Sequence, residues 1–361
     1  MIRVAVEATS VAPGGGLSFL RGALAALSQD GGLDLEVFVQ KEIARECEGR
    51  HVRPLVVGPF RGLVHRLAWV QIAFPRLARA YDAILAPGNQ APLVMARKTV
   101  LFVQNAHVVP QSAWRAEYRT SKRRLQRLMA RASIRRAGRV LFISEALKAW
   151  ARPYWSSIRH EPSVAHPGVT MTPTLASQTD RRPDVLVVGN LVPHKRVDRA
   201  VLAFARSVRE RRHPGGLCIA GSEGTPGLRR RLEETVARCG VADRVDFVGF
   251  LTGDALARAY ATSGCYLSTS ALEALPLPPL EAMAAGTPVV VPDSPPFREV
   301  CGPAALYCSG EEETANAIAS AVEQPTGREM LQHAARERLA MFSWPTFADR
   351  MTAAIGLVAG A

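Results

Sequence analysis

No stretch of this sequence reaches the roughly eighteen consecutive apolar residues that a membrane-spanning helix needs. Its opening, MIRVAVEATS, reads as a strand and has no charged segment leading into an apolar one. These absences predict a cytoplasmic protein that is neither exported nor inserted in a membrane. The six cysteines (Cys47, Cys218, Cys239, Cys265, Cys301, Cys308) include no C-x-x-C pair and fit reduced thiols packed in a core. There is no D-x-D, no H-E-x-x-H and no clustering of Cys and His at ligand spacing, so no metal is expected and no cofactor is implied. A serine hydrolase has no support without G-x-S-x-G. Nucleic acid is not an expected partner, because no zinc motif or aromatic-rich basic strand accompanies the positive charge.

That charge is large. Lys and Arg number 45 against 32 Asp and Glu, a formal excess of +13, which predicts an anionic partner such as a phosphorylated ligand or an acidic lipid. The length of 361 residues predicts two domains, and a hydrophobic content of 48% gives each a core. Short Val- and Ile-rich runs alternate with helical patterns: IRVAVEA (2–8), DAILAP (82–87), TVLFV (99–103) and RVLFIS (139–144). After the polar stretch TLASQTDRRP (174–183) the alternation restarts with DVLVVGN (184–190), GLCIAG (216–221), RVDFVG (244–249), CYLSTS (265–270) and TPVVVP (287–292). Such runs, buried on both faces, predict parallel strands with helices between them. The fold class is therefore α/β with two doubly wound, Rossmann-like domains, joined near 170–182, with ligands at the carboxyl ends of the strands and in the cleft between domains.

Several loops carry chemistry. In VVGNLVPHKRVDRA (187–200) a strand ends at Gly189 and Asn190, and Lys195 stands just before a helix, where it fits either a diphosphate contact or an ordinary surface lysine. APGGGLSFL (12–20) places Gly15 and Gly16 between the first strand and helix, a pattern of close backbone approach or of a plain turn. It is not a dinucleotide fingerprint. His107 follows the strand TVLFV and fits a hydrogen bond to a sugar or phosphate as well as a structural role. In STSALEALPLPPLEAMAAGTPVV (268–290), Glu273 falls on a loop and Glu281 in the first turn of the next helix, as caps or as sugar ligands. From Arg115 to Arg139 ten basic residues face one acid, with Leu125, Leu128, Met129 and Ala132 expected on one helical face and Arg124, Arg127, Arg131 and Arg135 on another. This basic helix fits an anionic membrane surface or packing on the sheet, and Trp69 and Phe74 upstream extend that surface or belong to the core.

The order of these motifs, from the glycine loop through AHVVP, VLFISEALK, HPGV, GNLVPHK, CIAGSE, VDFVGFL and STSALEALPLPPLEAMAAGTPVV to a final FSW, resembles the retaining GT-B glycosyltransferases of family 4, the group 1 glycosyltransferases. The resemblance implies an N-terminal acceptor domain over 1–173, a nucleotide-sugar donor domain over 182–342, and a terminal helix, 343–361, crossing back to the first domain. It also implies catalytic roles for Glu273, His107 and Lys195. Donor contacts would come from Gly15, Gly16, Gly189, Asn190, Ser270, Leu275, Leu277 and Glu281, with Glu281 on the ribose and Lys195 on the leaving diphosphate.

The sequence departs from the family pattern at two places. Ala274, Leu275 and Pro276 stand where Gly-Phe-Gly is usual, and Asn190 where arginine is common. Proline has no N–H to offer a donor. The resemblance implies a hexosyltransferase, mannose being one candidate sugar. It would act from a nucleoside diphosphate sugar onto a lipid-linked or polysaccharide acceptor, without a metal, in bacterial surface glycan synthesis and peripherally at the membrane. An epimerase on the same scaffold and a non-catalytic nucleotide- or glycan-binding subunit are the alternatives.

Overall fold

The computed structural model describes residues 1–11, 15–29, 31–109, 121–154, 158, 160–169, 181–323 and 325–360. These form two compact units, Met1–Gly168 with Phe342–Ala361, and Val169–Met341. The stretch expected to join the domains, 170–182, lies outside the described residues except for its last two.

The first unit is built on seven parallel strands: β1 (Ile2–Glu7), β2 (Leu33–Val39), β3 (Val52–Val56), β4 (Ala83–Ala86), β5 (Thr99–Val103), β6 (Arg139–Phe142) and β7 (Ser163–Val164). They lie in the order β3-β2-β1-β4-β5-β6-β7, so the winding reverses between β1 and β4. Strands β4 and β5 are buried at every residue, as the unbroken apolar runs require. At the other side β2 alternates over its first four residues and β3 is largely exposed, and Arg53 of β3 reaches Asp34 and Glu36 of β2 at 3.0 and 2.8 Å. The helix Gly15–Leu27 turns Leu17, Leu20, Leu24 and Leu27 inward, one apolar stripe at helical spacing.

The terminal helix Trp344–Ala359 belongs to this first unit. Ser343 caps it by accepting the Thr346 amide at 3.2 Å. Its buried Phe347 meets Phe19 and Phe102 edge-on, with ring centroids 5.7 and 5.6 Å apart. Gly22 and Gly168 leave room for the Trp344 ring, which a Cβ at either position would overlap.

Of the two readings open for Trp69 and Phe74 the core holds, since Phe74 is fully buried and Trp69 is half-buried against Phe38 and Phe74. One expectation about this unit is corrected. In the basic helix, Ser121–Arg136, the buried positions are Ala130, Ser133 and Ile134, while Leu128 is 62% exposed. The buried face is thus turned away from the expected Leu125–Leu128–Met129–Ala132 stripe. Arg127 donates to the His107 carbonyl at 3.1 Å and is half-buried. The part of the basic stretch from 115 to 120 lies outside the described residues.

The second unit holds six parallel strands: β8 (Val185–Val188), β9 (Leu217–Ala220), β10 (Val245–Gly249), β11 (Cys265–Leu267), β12 (Val289–Pro292) and β13 (Leu306–Cys308). Their order is β10-β9-β8-β11-β12-β13, with the reversal between β8 and β11. Val185, Val187, Leu267 and Val290 of this sheet pack with Val201, Phe204 and Ile318 from the helices Val197–Arg211 and Glu311–Glu323. Complete burial of a side chain such as Phe204 contributes about 2–3 kcal/mol. All six cysteines are free thiols. Among the described residues no helix is long and apolar enough to cross a membrane.

Candidate active site

In an open parallel sheet, the loops leaving two adjacent strands diverge where the winding reverses, and a crevice opens at their carboxyl ends. In the second unit those loops follow β8 and β11, and they carry Lys195 and Glu273. Beyond β8 the chain passes Gly189 at φ +147°, a conformation that favours glycine, then the exposed Asn190, and then the single turn Pro193–Lys195. A Cβ on Gly189 would stand 3.3 Å from Lys195 Cε, so the glycine also lets the lysine lie across the end of the strand. Beyond β11 the loop is tied to this turn. Ala271 N donates to the His194 carbonyl at 2.9 Å, and the buried Ser270 hydroxyl reaches the same carbonyl at 3.2 Å. Thr269 Oγ1 donates to the Arg196 carbonyl at 2.7 Å.

With both loops fixed, Lys195 Nζ lies 2.7 Å from Glu273 Oε1, the two side chains being 23% and 14% exposed. The Glu273 carboxylate also acts on the buried Tyr266 of β11, whose phenol is pushed well above its ordinary range by burial and then by that charge. Ser270 thus serves the loop's geometry. Leu275 is buried and Leu277 half-buried, so both anchor the start of the next helix.

That helix, Leu277–Ala284, begins with Pro278 and Pro279 among its first residues. Of the amides that a helix N-terminus would offer an anion, two are missing for that reason. Its first turn contains no acid, and Glu281 lies one turn in, which corrects the expected first-turn position. Glu281 is no cap. Its Oε2 accepts from the hydroxyl of the fully buried Tyr260 at 2.7 Å. Burial holds the Glu281 carboxyl above its ordinary value, and the Tyr260 hydrogen bond opposes that shift. The sequence reading did not name Tyr260, since a tyrosine on the amphipathic helix Gly253–Thr262 carries no signal beyond packing.

The other expected site residues lie in the first unit. His107 sits half-buried in the turn Ala106–Val108 after β5, its amide donating to Asn105 Oδ1 at 2.9 Å. Asn89, at φ +65°, holds the start of the same loop by accepting from Gln104 N and Asn105 N. Gly15 and Gly16 are the exposed first residues of the helix after β1, while residues 12–14 of the same loop lie outside the described residues. An added Cβ would meet nothing within 4 Å at Gly15 and only Val11 at 3.9 Å at Gly16. Neither packing nor a positive φ demands these glycines.

Among the described residues no three His, Cys, Asp or Glu side chains converge to hold a metal ion. A groove of about 420 Å³ opens beside the site at the ends of β11, β12 and β13, lined by Arg196, Arg199, Thr269, Asp293 and Glu311. Its lining takes in none of Lys195, Glu273 and Glu281.

Residues 176–338 match the family model "Glycosyl transferases group 1". Over 107 residues the chain is 37% identical to an uncharacterized glycosyltransferase, MJ1607, of Methanocaldococcus jannaschii, a stretch that is 30% of this chain and 26% of that protein. Over 187 residues it is 26% identical to the O-antigen chain mannosyltransferase RfbU of Salmonella typhimurium, 52% of this chain and 51% of that one. The chain thus spans between a quarter and a half of the length of these curated relatives. The solved structure of Anabaena Alr3699/HepE in complex with UDP and glucose superposes with a TM-score of 0.77 at 20% identity, covering 99% of this chain and 100% of that one. The chain has the GT-B fold of such structures, and its residues 176–338 are similar to the group 1 glycosyl transferases.

Proposed function

We propose that this chain is a retaining glycosyltransferase that moves a hexose, mannose in particular, from a nucleoside diphosphate sugar to a lipid-linked or polysaccharide acceptor in surface glycan synthesis. The observation that carries the reading is the Lys195–Glu273 pair, 2.7 Å apart where the winding of the second sheet reverses, with Glu281 held one helical turn further on. In this reading Glu281 accepts from the ribose hydroxyls and Glu273 from the transferred sugar. Lys195 receives the charge that builds on the diphosphate as the bond from C1 breaks and its electron pair leaves with the phosphate. The acceptor oxygen then bonds to C1 and its proton is released.

Fixed charge placed in advance where charge develops is effective electrostatic catalysis, and here a lysine supplies what a metal does elsewhere. With prolines at the helix start and Asn190 in place of a cation, Lys195 carries most of that task. Gly15 and Gly16, free of any packing demand, fit a close backbone approach to substrate, and His107 a hydrogen bond to donor sugar or phosphate. The name of the relative RfbU supports mannose and a surface polysaccharide.

A lipid-linked acceptor also fits the surface of the first unit. Segments 63–78, 91–98 and 121–136 lie side by side there, joined by Gln71 Nε2 to the Ala91 carbonyl and Leu93 N to Gln71 Oε1, both at 2.9 Å. Val64, Ile72, Leu77, Val94 and Leu128 are exposed among Arg76, Arg79, Arg97, Lys98, Arg124 and Arg131. Apolar side chains among cations suit a peripheral contact with anionic lipid.

The test is a thermal titration with GDP, UDP, ADP, CMP and dTDP, with and without chelator, followed by transfer from the matching sugar donor. A ligand at a hundred times its Kd raises stability by about 2.7 kcal/mol. One nucleotide should raise Tm undiminished by chelator, and its donor should be turned over with the anomeric configuration kept. Indifference to all five nucleotides would overturn the reading.

A further inference from the structure

Tyr260 has no place in the chemistry above, yet its hydroxyl is spent on one carboxylate. The side chain is 0% exposed, leaves the helix Gly253–Thr262 and donates to Glu281 Oε2 at 2.7 Å. Its ring lies tilted on Tyr266 of β11, centroids 6.1 Å apart, and its carbonyl accepts from Thr287 Oγ1 at 2.6 Å. Two further elements therefore fix where the hydroxyl sits. Glu281 is itself only partly buried, and among the described residues no hydrogen bond to its Oε1 is found.

We propose that Tyr260 is the positioning residue for Glu281 in nucleotide binding: it occupies Oε2, holds the carboxylate in one orientation, and leaves Oε1 to accept from the ribose of a nucleoside diphosphate sugar. The inference rests on the reading of Glu281 as the ribose ligand. A carboxylate accepts far more strongly than the protonated acid, and burial works against ionisation here. The Tyr260 donor opposes that cost. The groups that face Glu281 are Tyr260 from its helix and Tyr266 from β11, with the Lys195–Glu273 pair beyond Tyr266. Among the described residues the helices Pro295–Cys301 and Pro325–Ala340, packed on the Glu281 helix, bring no charged group to bear on its carboxyl. Tyr260 stays protonated, its phenol raised well above the ordinary range by burial and then by Glu281. Loss of its hydrogen bond raises the Glu281 pKa further, so affinity fails from the acid side first.

The experiment is calorimetric titration of GDP and UDP into the wild-type chain, Tyr260→Phe, Thr287→Val and Glu281→Gln across about pH 5 to 8. Tyr260→Phe should weaken binding about tenfold near neutrality, as for loss of a hydrogen bond to a charged group, and move the acid midpoint of affinity to higher pH. Thr287→Val, which leaves the Tyr260 carbonyl only the Ser263 amide at 3.3 Å, should move the midpoint the same way by less and serves as the second variant should Tyr260→Phe fail to fold. Glu281→Gln should bind weakly with no acid midpoint. An unmoved midpoint in both variants, with Glu281→Gln still impaired, overturns the positioning role alone. Wild-type affinity in Glu281→Gln overturns instead the ribose reading beneath it.

Discussion

Lys195 and Glu273 satisfy one another at 2.7 Å, so the ligand-free site presents an ion pair and little net charge at that point. A diphosphate and a sugar would divide the pair between them, phosphate to the lysine and hydroxyls to the carboxylate. Removing either partner leaves the other partly buried without its counter-charge. Lys195→Met should therefore lower kcat/KM by about 100-fold or more, measured with the donor that the nucleotide titration selects, while Glu273→Gln should slow turnover with nucleotide affinity retained. Glu281 lends itself to a different measurement, because its burial is a stability cost carried in the absence of ligand. Its folded pKa is raised above the ordinary 4.5. A group raised in this way contributes stability below its unfolded pKa, and that contribution is lost as pH climbs through the folded value. Against Glu281→Gln, the ligand-free wild type should thus lose relative stability from about pH 4.5 upward, read as a Tm difference that grows with pH and then levels. A Tm difference independent of pH would refute the burial cost. The two glutamates were legible in the sequence because the loop-proline-helix-strand order around them is distinctive. Tyr260 was not, since its partner lies twenty-one positions away on another helix.

The helices show why patterning alone misplaces a face. In Ser121–Arg136 the counted apolar residues pointed to Leu125, Leu128, Met129 and Ala132, yet the buried centre is Ser133. Its hydroxyl accepts from Ala91 N at 2.9 Å and donates to the Met129 carbonyl at 2.7 Å. A serine satisfied by backbone on both sides packs as an interior residue, and a search for hydrophobic periodicity scores it as surface. Strands divide the same way. Those buried on both faces, such as β4 and β5, were legible as apolar runs, whereas β2, with Asp34 and Glu36 paired to Arg53, and the short β7 and β13 were not. The helix Trp344–Ala359 yields a packing test. Gly22 lies under the Trp344 ring with no space for a methyl group, so Gly22→Ala should destabilise the chain by about 1–3 kcal/mol through overpacking. Helix propensity alone favours alanine by about 1 kcal/mol, so a net gain in denaturant midpoint would show that the ring moves aside freely.

At the scale of the whole molecule, the excess of +13 was legible before any fold, but not where it would act. Among the described residues the structure divides it between cations in ion pairs and cations exposed on the surface. In the second unit Arg206, Arg229 and Arg298 are engaged with Glu210, Glu233 and Asp293. In the first, exposed Arg76, Arg79, Arg97, Lys98, Arg124 and Arg131 stand among exposed Val64, Ile72, Leu77, Val94 and Leu128. Each cation near an anionic bilayer contributes about 1 kcal/mol, an attraction that weakens over a Debye length of about 8 Å at physiological salt. The apolar groups add a part that salt does not screen. Co-sedimentation with phosphatidylglycerol vesicles should then show binding that falls as salt rises. Arg124→Gln with Arg131→Gln should reduce both the binding and its salt slope, and Ile72→Glu with Leu77→Glu should reduce the binding that survives high salt. Nucleotide-induced stabilisation should be unchanged in all four, because these residues lie in the first unit and the Lys195–Glu273 pair in the second. Equal binding to neutral and anionic vesicles would remove the role of the cations, and no binding to either would return these residues to an ordinary solvated surface.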